Sequence, residues 1–87
     1  MITKKLMHDI ITFCNNYIDN DNIVINITKY PTFLSIDFAI WTLLDKKYID
    51  KHIKNITRNI HNEKEFIEFK QMILEELPEL LEQLKQN

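Results

Sequence analysis

The sequence predicts an all-α protein: a small four-helix bundle-like domain with one candidate edge strand or extended segment at residues 23–29. Three observations predict it. Both ends of the chain carry apolar residues at helical spacing, the middle holds a run that is apolar on every side of a helical wheel, and glycine is absent. Glycine supplies the positive φ of tight two-residue hairpins, so its absence counts against an all-β fold. With 87 residues, 45% of them apolar, and five Phe, three Tyr and one Trp, the chain has material for one core and one domain over residues 1–87.

The first element is an amphipathic helix from Thr3 to Ile18. Leu6, Met7, Ile10, Ile11, Phe13, Cys14, Tyr17 and Ile18 share one half of the wheel, and Lys4, His8, Asp9, Thr12, Asn15 and Asn16 share the other. Thr3 is the expected N-cap, with Ile2 and Met7 placed for a hydrophobic staple. The run Asp19-Asn20-Asp21-Asn22 ends the helix by turn chemistry. Residues 23–30 then change period: Ile23, Ile25 and Ile27 alternate with Val24, Asn26 and Thr28. No second strand is evident to pair with this one, so the segment reads either as a connector laid across the bundle or as an edge that pairs with a second copy or a target protein.

Pro31 ends that run, and Thr32 to Tyr48 reads as the central helix. Phe33, Leu34, Ile36, Phe38, Ala39, Ile40, Trp41, Leu43 and Leu44 surround its axis, which requires neighbours to cover it on all sides. Ile49, Ile53, Ile56 and Ile60 form a separate stripe at spacings of four, three and four, so a break near Tyr48 to Asp50 and a third helix ending about Ile60 are expected. Asn62 and Glu65 have capping-box spacing. The stripe of Phe66, Phe69, Ile73, Leu77, Leu80 and Leu84 keeps its phase across Pro78, which predicts one helix from Glu63 to about Lys85 with a proline kink.

Composition narrows the function. A net charge of −2 draws the molecule neither to nucleic acid nor to an anionic membrane as a whole. No apolar run approaches the roughly 20 residues of a membrane helix. The lone Cys14 and the absence of a signal-peptide-like start point to a reducing, cytoplasmic setting. Heavy use of Ile, Asn and Lys resembles a low-GC genome and is compatible with a phage or mobile element.

No stretch carries a catalytic, cofactor-binding or metal-binding signature. Phosphate loops, dinucleotide turns and nucleophile elbows all rely on glycine. His8, His52 and His61 lack helical zinc spacing, and the Asp19–Asp21 cluster lacks the glycine and glutamate of a calcium loop. Ser35 has no base at predictable spacing, and Cys14 sits on an apolar helix face. No enzyme activity, cofactor or metal is therefore expected.

Charge is more informative by region. Glu68, Glu75, Glu79 and Glu82 lie on the last helix away from its leucines, a candidate docking face for a basic protein partner. Lys47, Lys51, Lys54 and Arg58 share one face of the expected third helix, an alternative surface for nucleic acid, although one arginine and no helix-turn-helix glycine turn argue against it. The leading expectation is a small non-enzymatic protein-binding module. It would be an inhibitor of the immunity, antitoxin or phage anti-defence type, acting by steric and electrostatic occlusion. The alternatives are a nucleic-acid-binding regulator and a self-associating homodimer paired through Ile23, Ile25 and Ile27.

Overall fold

The computed structural model describes residues 2–85 and corrects the all-α expectation. The chain is α+β, in the order α1 (Lys4–Asn15), β1 (Ile23–Lys29), β2 (Leu34–Leu44), β3 (Tyr48–Ile60) and α2 (Glu63–Lys85). The strands form an antiparallel meander with β2 in the middle. The expected central and third helices are strands β2 and β3, and the break expected at Tyr48 to Asp50 is a hairpin turn just before it.

Strand formation in β2 follows from its alternation. Leu34, Ile36, Phe38 and Ile40 are fully buried, whereas Ser35 and Asp37 between them are half-exposed. Directly paired residues share a face, and the register sets Ile23, Ile25 and Ile27 of β1 beside Ile40, Phe38 and Ile36. On the other side Ile56 and Ile60 of β3 stand opposite Phe38 and Leu34. The result is one apolar sheet face, on which both helices lie. Leu6, Ile10 and Cys14 of α1 and Phe66, Phe69, Ile73 and Leu77 of α2 complete the core. Edge-to-face contacts tie sheet to helical layer, Tyr17 to Phe38 at 5.5 Å and Phe38 to Phe69 at 5.7 Å, and join the two helices, Phe13 to Phe66 at 6.0 Å between centroids.

The opposite sheet face has no helix over it. Asn26, Thr28, Asn55, Thr57 and Asn59 are exposed there, and the Thr57 hydroxyl donates to Asp37 Oδ1 at 2.6 Å. Trp41, expected at the centre of the molecule, is half-buried outside the core and meets His52 edge-on at 5.0 Å. Two register shifts flank it, between Ile40 and Trp41 and between Trp41 and Leu43. The Thr42 hydroxyl accepts the Lys51 N–H at 2.9 Å in this irregular stretch.

The hairpin turn is made without glycine. Asp45 and Lys46 take φ of 54° and 61°, the positive-φ pair of a type I′ turn, closed by the Lys47 N–H donating to the Leu44 carbonyl at 3.1 Å. At the helix starts the expected caps are present. Thr3 Oγ1 accepts from the Leu6 N–H at 3.1 Å, and Asn62 Oδ1 accepts from the Glu65 N–H at 3.0 Å. The α2 helix runs unbroken through Pro78. No helix among the described residues is long and apolar enough to cross a membrane.

Candidate interaction surfaces

The first surface is the outer side of α2, whose sequence period sends Phe66, Phe69, Ile73 and Leu77 into the core and leaves the opposite side to water. Glu68, Glu75, Glu79 and Glu82 are all exposed there. From Glu68 to Glu82 the stripe runs roughly 21 Å at 1.5 Å per residue. Among the described residues none of the four enters an ion pair; Glu76, on the flank of the helix, pairs with Lys54 at 3.6 Å instead. About a quarter turn from that stripe, on the flank away from Glu76, run Ile67 and Leu74, 45% and 60% exposed. The two stand two turns apart, and Ile67 also lines a 330 Å³ cleft toward α1 with Asp9, Phe13, Phe66 and Lys70.

The start of α2 is tightly fixed. The Glu65 carboxylate accepts both the His61 N–H, at 3.0 Å, and a contact from His61 Nδ1 at 2.9 Å. Those bonds favour the ionised form and hold the Glu65 carboxyl below its ordinary range. Glu65 and Glu68 also line a 470 Å³ cleft with Arg58, Asn59, Phe69 and Met72.

The expected basic face does not form as a single surface, because its residues belong to β3 and the turn before it rather than to a helix. Lys47 sits in the hairpin turn and Lys51 in the irregular stretch. Lys54 and Arg58, four residues apart in a strand, share the face of the sheet that carries the helices, opposite Ile40 and Ile36. Lys54 is matched there by Glu76, and Arg58 borders the cleft of Glu65 and Glu68.

The second surface lies between α1 and β1. A 320 Å³ groove there is lined by Ile11, Cys14, Asn15, Ile18, Ile23, Ile25 and Ile27. Ile11, Ile18 and Ile27 are 45%, 69% and 37% exposed. Sequence reasoning found the three β1 isoleucines by their alternation but supplied no partner strand; β2 pairs with one edge of β1, and the other edge is open. Cys14 closes the floor of the groove, and burial pushes its thiol up to about 11.

His8, His52 and His61 are exposed and well separated in the chain, and among the described residues no group of three or more His, Cys, Asp or Glu is placed to hold a metal ion. In comparison with known proteins, no family model, curated protein or solved structure matches the chain.

Proposed function

We propose that this protein is a non-enzymatic recognition module that binds a basic partner protein through the outer face of α2 and inhibits it by occlusion, in the manner of an immunity, antitoxin or phage anti-defence protein. The observation that carries this reading is the combination on one helix of exposed Ile67 and Leu74 with the carboxylates of Glu68, Glu75, Glu79 and Glu82, none of which is ion-paired among the described residues. The apolar pair supplies contact area that gains by leaving water, and the carboxylate stripe steers and selects a partner of opposite charge. A continuous helix held by a cap at one end and by core contacts through Leu77 presents this face with little ordering cost on binding. A reducing cytoplasm suits the single buried thiol.

The test is kinetic. A partner recovered by affinity capture is titrated against the wild type and against a variant with Glu68, Glu75, Glu79 and Glu82 all replaced by Lys. Association should slow by about tenfold or more at low salt, and the difference should shrink as salt screens the charges. An association rate that ignores all four substitutions contradicts the proposal.

A further inference from the structure

The edge of β1 away from β2 is open. The Trp41 N–H donates to the Asn22 carbonyl at 2.8 Å, and Asn22 Nδ2 returns a bond to the Trp41 carbonyl at 2.9 Å, so the backbone carbonyl of residue 22 points toward β2. At the other end of β1 the Tyr30 N–H donates to Phe33, again toward the β2 side. Backbone direction alternates along an antiparallel strand, so the even residues of β1 bond to β2 and the odd ones aim their N–H and C=O outward. Ile25, Ile27 and Lys29 therefore present ladder groups to the open side. Among the described residues none of these finds a partner, while the Ile23 N–H is taken by the Asn20 carbonyl at 3.1 Å. The side chains of Ile23, Ile25 and Ile27 line the apolar groove beside α1. Natural edges are usually guarded by charge, proline or a bulge, and between Ile23 and Thr28 this one has none of them.

We propose that the occupant of this edge is a second copy of the same chain, joined antiparallel about a two-fold axis through Asn26 to give a continuous six-stranded sheet. The strand is self-complementary in that register. Ile25 stands opposite Ile27 of the other copy on both sides of the axis, so each outward donor meets an outward acceptor and the two isoleucines fill the groove beside Ile11 and Ile18. Val24 stands opposite Thr28 on the other face. Lys29 falls opposite Ile23 of the other copy, the end that carries the acidic Asp19 and Asp21, whereas Ile25, Ile27, Ile11 and Ile18 at the centre are uncharged. Opposite charge at the two ends with an apolar middle favours the antiparallel two-fold arrangement over a shifted register. The α2 face lies elsewhere on the molecule and plays no part.

Light scattering on the full chain at micromolar concentration should give twice the monomer mass. Ile27→Pro removes an outward N–H and leaves the bonds to β2 intact, so it should halve the mass with the circular dichroism spectrum retained. Asn26→Cys places two thiols across the axis at a non-hydrogen-bonded pair, about 4.5 Å between Cα atoms, a spacing that a disulfide spans. It should cross-link under mild oxidation, while Thr28→Cys, off the axis on the same face, should not. A monomeric wild type overturns the proposal, and if that monomer binds an extended foreign peptide that Ile27→Pro abolishes, the edge belongs to a different partner. Equal cross-linking of Asn26→Cys and Thr28→Cys overturns the register.

Discussion

Replacing Phe38 by alanine should be far more damaging than replacing Trp41, although the tryptophan is the larger residue. Phe38 is fully buried at the middle of the central strand, flanked in register by Ile25 and Ile56 and touched edge-on by Tyr17 and Phe69. Truncating such a residue costs about 3–5 kcal/mol, and the two aromatic contacts at about 0.5–1.5 kcal/mol each place it in the upper half of that range. A domain of 87 residues holds about 4–13 kcal/mol in total. Trp41 is half-buried outside the core, so Trp41→Ala should cost about 1–2 kcal/mol. At about 4–8 °C per kcal/mol, Phe38→Ala should lower the melting midpoint by roughly 20 °C or leave the chain unfolded, and Trp41→Ala by about 10 °C. Thermal melts followed by far-UV circular dichroism read both. Were the segment a helix wrapped on all sides, the two residues, three apart, would share a buried side and cost alike; equal losses would refute the sheet.

Three further outcomes follow from local geometry. Lys46 holds φ of 61°, a conformation that costs a non-glycine residue roughly 1–2 kcal/mol, so Lys46→Gly should raise the melting midpoint by several degrees, and a fall would show that the turn is built differently. The Glu65 carboxyl is held below its ordinary value of 4.5 by His61, so the stability it lends is complete above that value and is lost as pH falls through the lower folded-state value; Glu65→Gln should flatten the acid limb of the melting profile, and an unchanged limb would count against the bond. The Cys14 thiol, pushed up to about 11 by burial, should react with a disulfide reagent at mildly alkaline pH only as fast as the protein opens, so rapid labelling of the native protein would contradict its packing.

Both helices were legible because their signals are local: Thr3, Asn62 and Glu65 in cap positions, and leucine and phenylalanine stripes that keep phase even through Pro78. The alternation of β1 was legible too. Its partner was hidden by two features of β2 and β3. Near Trp41 the register shifts, so the clean alternation of Leu34, Ile36, Phe38 and Ile40 gives way to Trp41-Thr42-Leu43-Leu44, and the whole run imitates a helix apolar on every side. The same irregularity breaks the parity of β3. Ile56 and Ile60 enter the core while Ile49 and Ile53 stay exposed, and their combined spacing imitates a helical stripe. The third cause was the turn: Asp45 and Lys46 adopt positive φ, so a glycine-free chain still makes a hairpin. On the surfaces, the α2 carboxylates were found from their period. The lysines and arginine were misassigned to one face because four-residue spacing means something different in a strand. The exposed Ile67 and Leu74 were missed because they sit on the flank of a stripe that reads as core.

The measurement that bears most directly on the proposed role is amide chemical-shift mapping of the isotope-labelled protein as its captured basic partner is added. The perturbed amides should cluster on α2 between Ile67 and Glu82, with those of Asn26, Asp37 and Thr57 on the uncovered sheet face unmoved. Shifts centred on the sheet face or on the lysines of the hairpin, with α2 silent, would contradict the account.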